Sequence, residues 1–316
     1  MKISVRKFAS IQETVEECSR KGGGEVIIPK GEWKTGPIHL KSKISLILEE
    51  GAVVYFSDNP QDYLPVVFTR WDGTECYNYS PLIYVRDCSD IAVKGKGRLV
   101  GNGATWWSWK KLQQSAADEL RYTESRRIPV EQRVYGTEKA ALRSSFIQFI
   151  GCRNVLLEGF SIEDGPHWTI HPVYCEDVVI RNIKINTRGP NTDGLNPDSC
   201  ADVLIEGCYF DTGDDCVAIN SGLNEDGRRV GKPCRNLEIR DCTMTGGHGE
   251  VVIGSAVSGC VENIYMHDCR ICDTMQGVRV KTMVFPAVMW RASVLGMPIL
   301  YVQNNTCITN CECRFL

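Results

Sequence analysis

No run in this 316-residue chain approaches the roughly 18 consecutive apolar residues of a membrane-spanning helix, so a helical span is excluded. The start, Met1-Lys2-Ile3-Ser4-Val5-Arg6, also lacks the uninterrupted apolar stretch of a secretory signal. We therefore expect a reduced, cytoplasmic protein, with a secreted or periplasmic one as the outcome if a signal has been removed. An excess of positive charge is missing too: 36 Lys and Arg stand against 39 Asp and Glu, a formal net charge of -3. With no global basic field, nucleic acid and membrane surfaces are not expected partners, and any polyanion would need a local patch. No Gly-, Ser- or Pro-rich linker interrupts the chain, so one domain is expected over residues 1–316. Cys269-Arg270-Ile271-Cys272 is the single C-x-x-C and has no second pair at zinc spacing, so neither a metal nor another cofactor is expected.

What is present is a repeat. Cys152-Arg153-Asn154-Val155, Cys175-Glu176-Asp177-Val178, Cys200-Ala201-Asp202-Val203 and Cys234-Arg235-Asn236-Leu237 share one pattern at intervals of 23, 25 and 34 residues. Cys88-Ser89-Asp90-Ile91 is an earlier copy, and Cys260 with Asn263-Ile264 a looser later one. Each copy opens an alternating segment such as Val178-Val179-Ile180-Arg181, which reads as a half-buried strand. Short strands, turns and one variable loop per repeat predict an all-β chain, a right-handed parallel β-helix. Stacked coils then explain many of the sixteen cysteines as small buried hydrophobes. Cys152, Cys175, Cys200 and Cys234 form one expected ladder, and Cys208, Cys242 and Cys269 another.

Ile11, Val15 and Cys18 share a helical face, which predicts a short N-terminal helix capping the first coil, ended by Gly22-Gly23-Gly24. Two excursions leave the repeat. One, from about Asp58 to Ser80, is expected as a long loop, and the other, Trp106 to Gly136, as a charged and partly helical one.

Four segments carry the candidate chemistry. Asn191-Thr192-Asp193-Gly194, Gly213-Asp214-Asp215, Gly247-His248-Gly249 and Arg279-Val280-Lys281 fall at comparable places on successive coils, so stacking brings them together. Counting from the preceding strands aligns Asp193, Asp214 and His248. Taken singly, the acids read equally as turn caps or a calcium site, and Arg279 with Lys281 as a solvated face.

Together, these four segments resemble the signature motifs of the polygalacturonase family, glycoside hydrolase family 28. The likeness runs from Gly23 to Lys281 through Thr35-Gly36-Pro37-Ile38-His39-Leu40, Asn78-Tyr79-Ser80-Pro81-Leu82-Ile83-Tyr84 and His167-Trp168-Thr169-Ile170-His171-Pro172. The surroundings of His171 and Asp198-Ser199-Cys200 resemble the bacterial branch that includes exo-acting enzymes. The resemblance implies a pectin-lyase-like β-helix that hydrolyses α-1,4-galacturonosyl bonds in polygalacturonate or pectin, with inversion and from a chain end. It implies Asp214 as general acid, Asp193 and Asp215 as activators of water, and His248 as a tuning partner. Asn191, His171, Arg279 and Lys281 would bind substrate. Spacing alone leaves retention and inversion both open. Two other functions stay open: a β-helical pectate lyase using calcium, and an inactive sugar-binding or scaffold β-helix.

After Lys281 the resemblance stops. Met283-Val284-Phe285-Pro286-Ala287-Val288-Met289-Trp290 begins an apolar tail, 283–316, without the coil pattern, which we read as truncation or a frame-shift beyond about Thr282.

Overall fold

The computed structural model describes residues 1–281 and the backbone of 307–315. The expectation of truncation or frame-shift falls mainly on 283–306 and so lies outside the described residues. Cys307–Phe315 runs antiparallel along Val261–Cys272, unlike the parallel coils before it.

The repeat becomes a right-handed parallel β-helix built from three ladders of strands. The first ladder stacks Gly24–Ile28, Ile44–Leu48, Ser89–Gly95, Arg153–Glu158, Glu176–Arg181, Ala201–Glu206, Cys234–Arg240 and Val261–Cys272. The second stacks Gly31–Thr35, Ala52–Phe56, Arg98–Val100, Ser161–Glu163, Lys184–Thr187, Tyr209–Thr212 and Thr243–Gly246. In the third, Ile38–His39, Ile83–Arg86, Ile147–Ile150 and Ile170–Val173 lead through a bridge at Leu195 to Val217–Ile219, Val251–Ile253 and Val278–Val280.

The second polar residue of the repeat pattern has a backbone reason. Asp90, Asn154, Asp177, Asp202, Asn236 and Asn263 all have φ between 55° and 59°, the left-handed region that Asn and Asp tolerate best among residues with a Cβ. Their side chains also bond from coil to coil: Asn154 Nδ2 donates to Asp90 Oδ1 at 2.7 Å and Asn236 Nδ2 to Asp202 Oδ1 at 2.9 Å. A left-handed residue near the start of each strand turns the chain, and its side chain ties neighbouring turns together.

Both cysteine ladders are as expected. Cys152, Cys175, Cys200 and Cys234 are buried in one column, and Cys208, Cys242 and Cys269 in another. Cys272 departs from this, being disulfide-bonded. The capping helix spans Ile11–Arg20, with Ile11, Val15 and Cys18 buried against the first coil. Ser10 Oγ accepts from Glu13 N–H and Glu13 Oε2 accepts from Ala9 N–H, each at 3.0 Å, a reciprocal cap that fixes the helix start. Among the described residues no helix is long and apolar enough to cross a membrane.

The first excursion differs from the expected loop. It folds as an antiparallel hairpin, Val67–Trp71 with Thr74–Asn78. Asp72-Gly73 forms the two-residue turn, with φ of 47° and 81°. Two positive φ values in succession suit an Asp-Gly pair and match the twist of the flanking strands, so the turn chemistry was present in the sequence. The second excursion is helical as expected, with Ala104–Trp107, Trp109–Leu112 and Gln114–Arg121.

The hairpin lies across the third ladder and is fixed by a buried polar network. Arg70, with none of its side chain exposed, donates from one guanidinium nitrogen to Asp198 Oδ1 and to Ser199 Oγ, both at 2.9 Å. Gln148 Nε2 donates to the Arg70 carbonyl at 3.1 Å, and Trp71 Nε1 to the Arg143 carbonyl at 2.9 Å. At the tip, Leu223 N–H donates to the Gly73 carbonyl at 2.9 Å. A Cβ on Gly73 would stand 2.9 Å from Ala256 Cβ and 3.0 Å from Leu223 N, so only glycine lets the tip seat on these later coils. A buried charge such as Arg70 is tolerable only with these partners in place.

Candidate active site

The four motif segments meet where the second ladder hands the chain to the third. The register differs from the sequence count. Leu195 pairs with Val217 and Val217 with Val251, which sets Asp193 beside Asp215 and Asp214 beside His248. The reason is loop length: seven residues separate Thr187 from Leu195 (188–194), whereas four separate Thr212 from Val217 (213–216) and four separate Gly246 from Val251 (247–250). The extra residues form the turn in which Asn191 takes φ of 56°.

Close stacking explains the motif glycines. A Cβ on Gly213 would lie 2.2 Å from the Gly189 carbonyl, and one on Gly247 would lie 2.1 Å from the Asp214 carbonyl. Side chains there would push the acid-bearing turns apart.

The turns line a pocket of about 180 Å³ that includes Asp193, Asp214, Asp215, Asn191 and Lys281, together with Trp168, Asp72 and Arg121. A larger hollow of about 760 Å³, lined by Lys34, Tyr55, Asp58, Asp62 and Asn102, lies at the N-terminal coils. It contains none of the motif carboxylates, so acid-base chemistry belongs to the smaller pocket.

Each carboxyl has a distinct environment. Asp193 is 5% exposed and its Oδ2 accepts from Asn196 Nδ2 at 2.9 Å. Burial, then the nearby Asp214 and Asp215 carboxylates, push it well above the usual range. Asp215 is 3% exposed and is likewise raised, first by burial, with the Lys281 ammonium opposing. Lys281 Nζ donates to Asp215 Oδ2 at 2.6 Å, while Asp215 Oδ1 has no hydrogen-bond partner among the described residues. Asp214 is more accessible. One oxygen lies 3.1 Å from His248 Nδ1, and the other accepts from Asn191 Nδ2 at 3.3 Å. His248, 54% exposed along its side chain, touches the pocket through Asp214 but is not itself part of the lining among the described residues.

Two sequence-derived site residues are placed otherwise. His171 is fully buried, with Nδ1 2.9 Å from Gln148 Nε2 and Nε2 3.6 Å from Asp198 Oδ2. In this position it supports the hairpin network beneath Trp168 and does not reach the pocket surface. Its ring is also held neutral-leaning by burial, partly offset by Asp198. Arg279 is exposed on Val278–Val280, and the pocket lining among the described residues includes Lys281 but not Arg279.

Three residues were missed. Arg143 is fully buried and donates to the Pro166 and Pro190 carbonyls at 3.1 and 2.7 Å and to Asn191 Oδ1 at 2.8 Å. It therefore orients the amide that holds Asp214. Burial pushes its guanidinium down to about 10. Nothing in its local sequence separates it from the arginines of the excursion that precedes it. Replacing Arg143 by Gln should lower unfolding stability by roughly 1–3 kcal/mol, because two buried carbonyls lose a charged donor, as chemical denaturation would report.

Arg121, whose guanidinium lies 2.9 Å from Asp72 Oδ2 and 3.3 Å from Asp118 Oδ1, is the second. Glu250 is the third. It follows Gly247-His248-Gly249 directly, an acid opening the apolar run Val251-Val252-Ile253, and that was its available signal. It is fully buried below the acids, and burial, with Asp215 and Asp211 nearby, pushes its carboxyl up to about 8. Cys216 and Thr274 lie beside it, but neither carboxyl oxygen makes a hydrogen bond of normal geometry among the described residues.

Comparison with known proteins agrees with this architecture. An exopolygalacturonase from Thermotoga maritima superposes with a TM-score of 0.86 at 42% identity, over 89% of this chain and 69% of that one. A probable polygalacturonase of Vitis vinifera is 30% identical over 86% of this chain and 53% of its own length. An exo-poly-alpha-D-galacturonosidase of Dickeya chrysanthemi is 25% identical over 87% of this chain and 49% of its own. The chain thus spans about half the length of the curated relatives it matches. The model of glycosyl hydrolases family 28 matches residues 132–290, which carry all four motif segments, and the chain belongs to that family.

Proposed function

We propose that the protein hydrolyses α-1,4-galacturonosyl bonds in polygalacturonate or pectin, from a chain end and with inversion. The observation that carries this reading is the convergence of Asp193, Asp214, Asp215 and Lys281 on one pocket, with His248 3.1 Å from Asp214. Hydrolysis needs one carboxyl that gives a proton to the leaving oxygen and another that takes one from water.

Asp214 is the acid in this scheme. It is the accessible member, positioned by Asn191 and contacted by His248. Asp215, whose carboxylate is paired with the Lys281 ammonium, and Asp193 take the proton from the attacking water. As the C1–O bond breaks, the proton from Asp214 goes to the departing hydroxyl and the water oxygen bonds to C1 from the opposite face. Burial and the neighbouring Asp214 and Asp215 push the Asp193 carboxyl upward, so the three carboxyls act as one cluster.

End-on attack is supported by the hairpin. Its tip seats on Leu223 and beside Ala256, and both of these residues and Asp72 line the pocket. A groove open on both sides admits a long polymer at any bond, whereas a walled pocket favours a terminus.

Digestion of polygalacturonate tests the scheme. We expect new reducing ends, galacturonate monomer as the product from the outset, and no ultraviolet absorbance from an unsaturated product with or without chelator. Absorbance dependent on calcium would replace the hydrolase with a lyase.

A further inference from the structure

We propose that Arg121, held by Asp72 at the hairpin tip, receives the carboxylate of the terminal galacturonate and so selects uronate over neutral sugar at the closed end of the pocket. This rests on the uronate-hydrolase reading.

The need for such a residue follows from charge. Among the described residues, the pocket lining places Asp72, Asp193, Asp214 and Asp215 against two cations, Lys281 and Arg121. An anionic sugar entering there must meet a positive group with spare donors. Lys281 Nζ is already 2.6 Å from Asp215 Oδ2, and Arg279 does not line the pocket among the described residues.

Arg121 meets the requirement. A guanidinium has five N–H donors in a planar fork suited to a carboxylate. Two contacts are made here, Nη2 to Asp72 at 2.9 Å and Nη1 to Asp118 at 3.3 Å, which leaves a second N–H on each terminal nitrogen. About a third of the side chain, 34%, remains exposed, and the residue is part of the pocket lining. Asp72 fixes one edge of the fork and leaves other donors for substrate. The wall is rigid enough to position it, because Arg70 and Trp71 anchor the hairpin and Gly73 docks its tip. Lys110, from the same helical excursion, adds positive potential near both Asp72 and Asp214.

The test uses the full chain and titrates galacturonic acid and galactose separately into wild type, Arg121→Gln and Arg121→Lys, with KM on polygalacturonate measured in parallel. Loss of a charge-assisted pair predicts roughly 10- to 100-fold weaker galacturonate binding and higher KM in Arg121→Gln. Galactose binding should change less than about threefold on the same grounds, because it has no carboxylate for the guanidinium to hold. Arg121→Lys should recover part of the preference, since it keeps the charge but not the fork. Unchanged galacturonate binding in Arg121→Gln overturns the proposal. Equal weakening of both sugars also overturns it, because that marks a collapsed wall. Wild type that releases no reducing ends defeats the hydrolase reading itself, whereas active wild type with an indifferent Arg121→Gln defeats only this assignment.

Discussion

Asp214→Asn should lower kcat on polygalacturonate by roughly 10²–10⁴-fold and leave KM within a few-fold, since a general acid contributes about that much and acts mainly in the transition state. The amide keeps the size of the side chain and its contacts to Asn191 and His248, so folding should be intact. Asp193→Asn and Asp215→Asn should be similarly slow, so rate alone does not assign roles. An aryl α-galacturonide with a good leaving group does: it needs little proton donation and should restore much of the rate to Asp214→Asn but not to the other two. Rescue of Asp193→Asn instead would exchange the roles. That outcome has a physical basis, because Asp193 is the more strongly raised carboxyl of the ligand-free pocket.

Glu250 governs the second large effect. Its carboxyl is pushed up to about 8 in the folded protein from an ordinary value of 4.5. Between these values the folded state binds a proton that the unfolded state has released, so stability falls as pH rises from about 4.5 to about 8 and levels off above. At about 1.4 kcal/mol per unit, the loss amounts to roughly 3–5 kcal/mol, read as an order of magnitude. The thiol of Cys216 lies beside it and Asp215 and Asp211 are close, so the negative charge formed at high pH meets other acids. Asp193 and Asp215, also raised, contribute with the same sign. Denaturation midpoints of wild type should therefore drop from pH 5 to pH 9, and those of Glu250→Gln should drop much less. Parallel curves would show that Glu250 does not ionise in this range. The comparison of slopes is what matters, because a buried amide carries its own fixed cost at every pH.

This pH response and the acid assignment are linked through position. Glu250 follows the His248 turn and stands directly below Cys216, one residue from Asp215. An ionised Glu250 would favour protonation of Asp215, the carboxyl that has to accept a proton from water. The acidic limb of the rate profile, along which Asp215 loses its proton, should therefore lie at the same pH or lower in Glu250→Gln than in wild type, and stability and rate profiles from the same preparations would show both effects.

Much of this was legible in the chain because a solenoid repeats its physics. A column of Cys can be read from spacing, since each coil sets the same small side chain into the same buried place. The Asn or Asp two positions on is legible because a left-handed backbone position recurs at each turn. Amphipathic spacing located the capping helix, and the four motif segments located the acids.

The sequence by itself therefore determined the β-helix, the stacking order of its coils and the segments that carry the candidate acids. Tertiary structure decided which acid stands beside which, because three extra residues before Leu195 shift the loop register in a way that strand counting does not see. It buried His171 behind the hairpin and left Arg279 outside the pocket, since both outcomes depend on segments more than a hundred residues away or on the pitch of the last described coil. It also brought Asp72, Arg121 and Arg143 to the acids. Asp72 and Arg121 come from excursions outside the repeat and Arg143 from the segment leading into Ile147–Ile150, and only the folded chain, through the Arg70–Asp198 pair and the Gly73 contact, specifies where such segments dock.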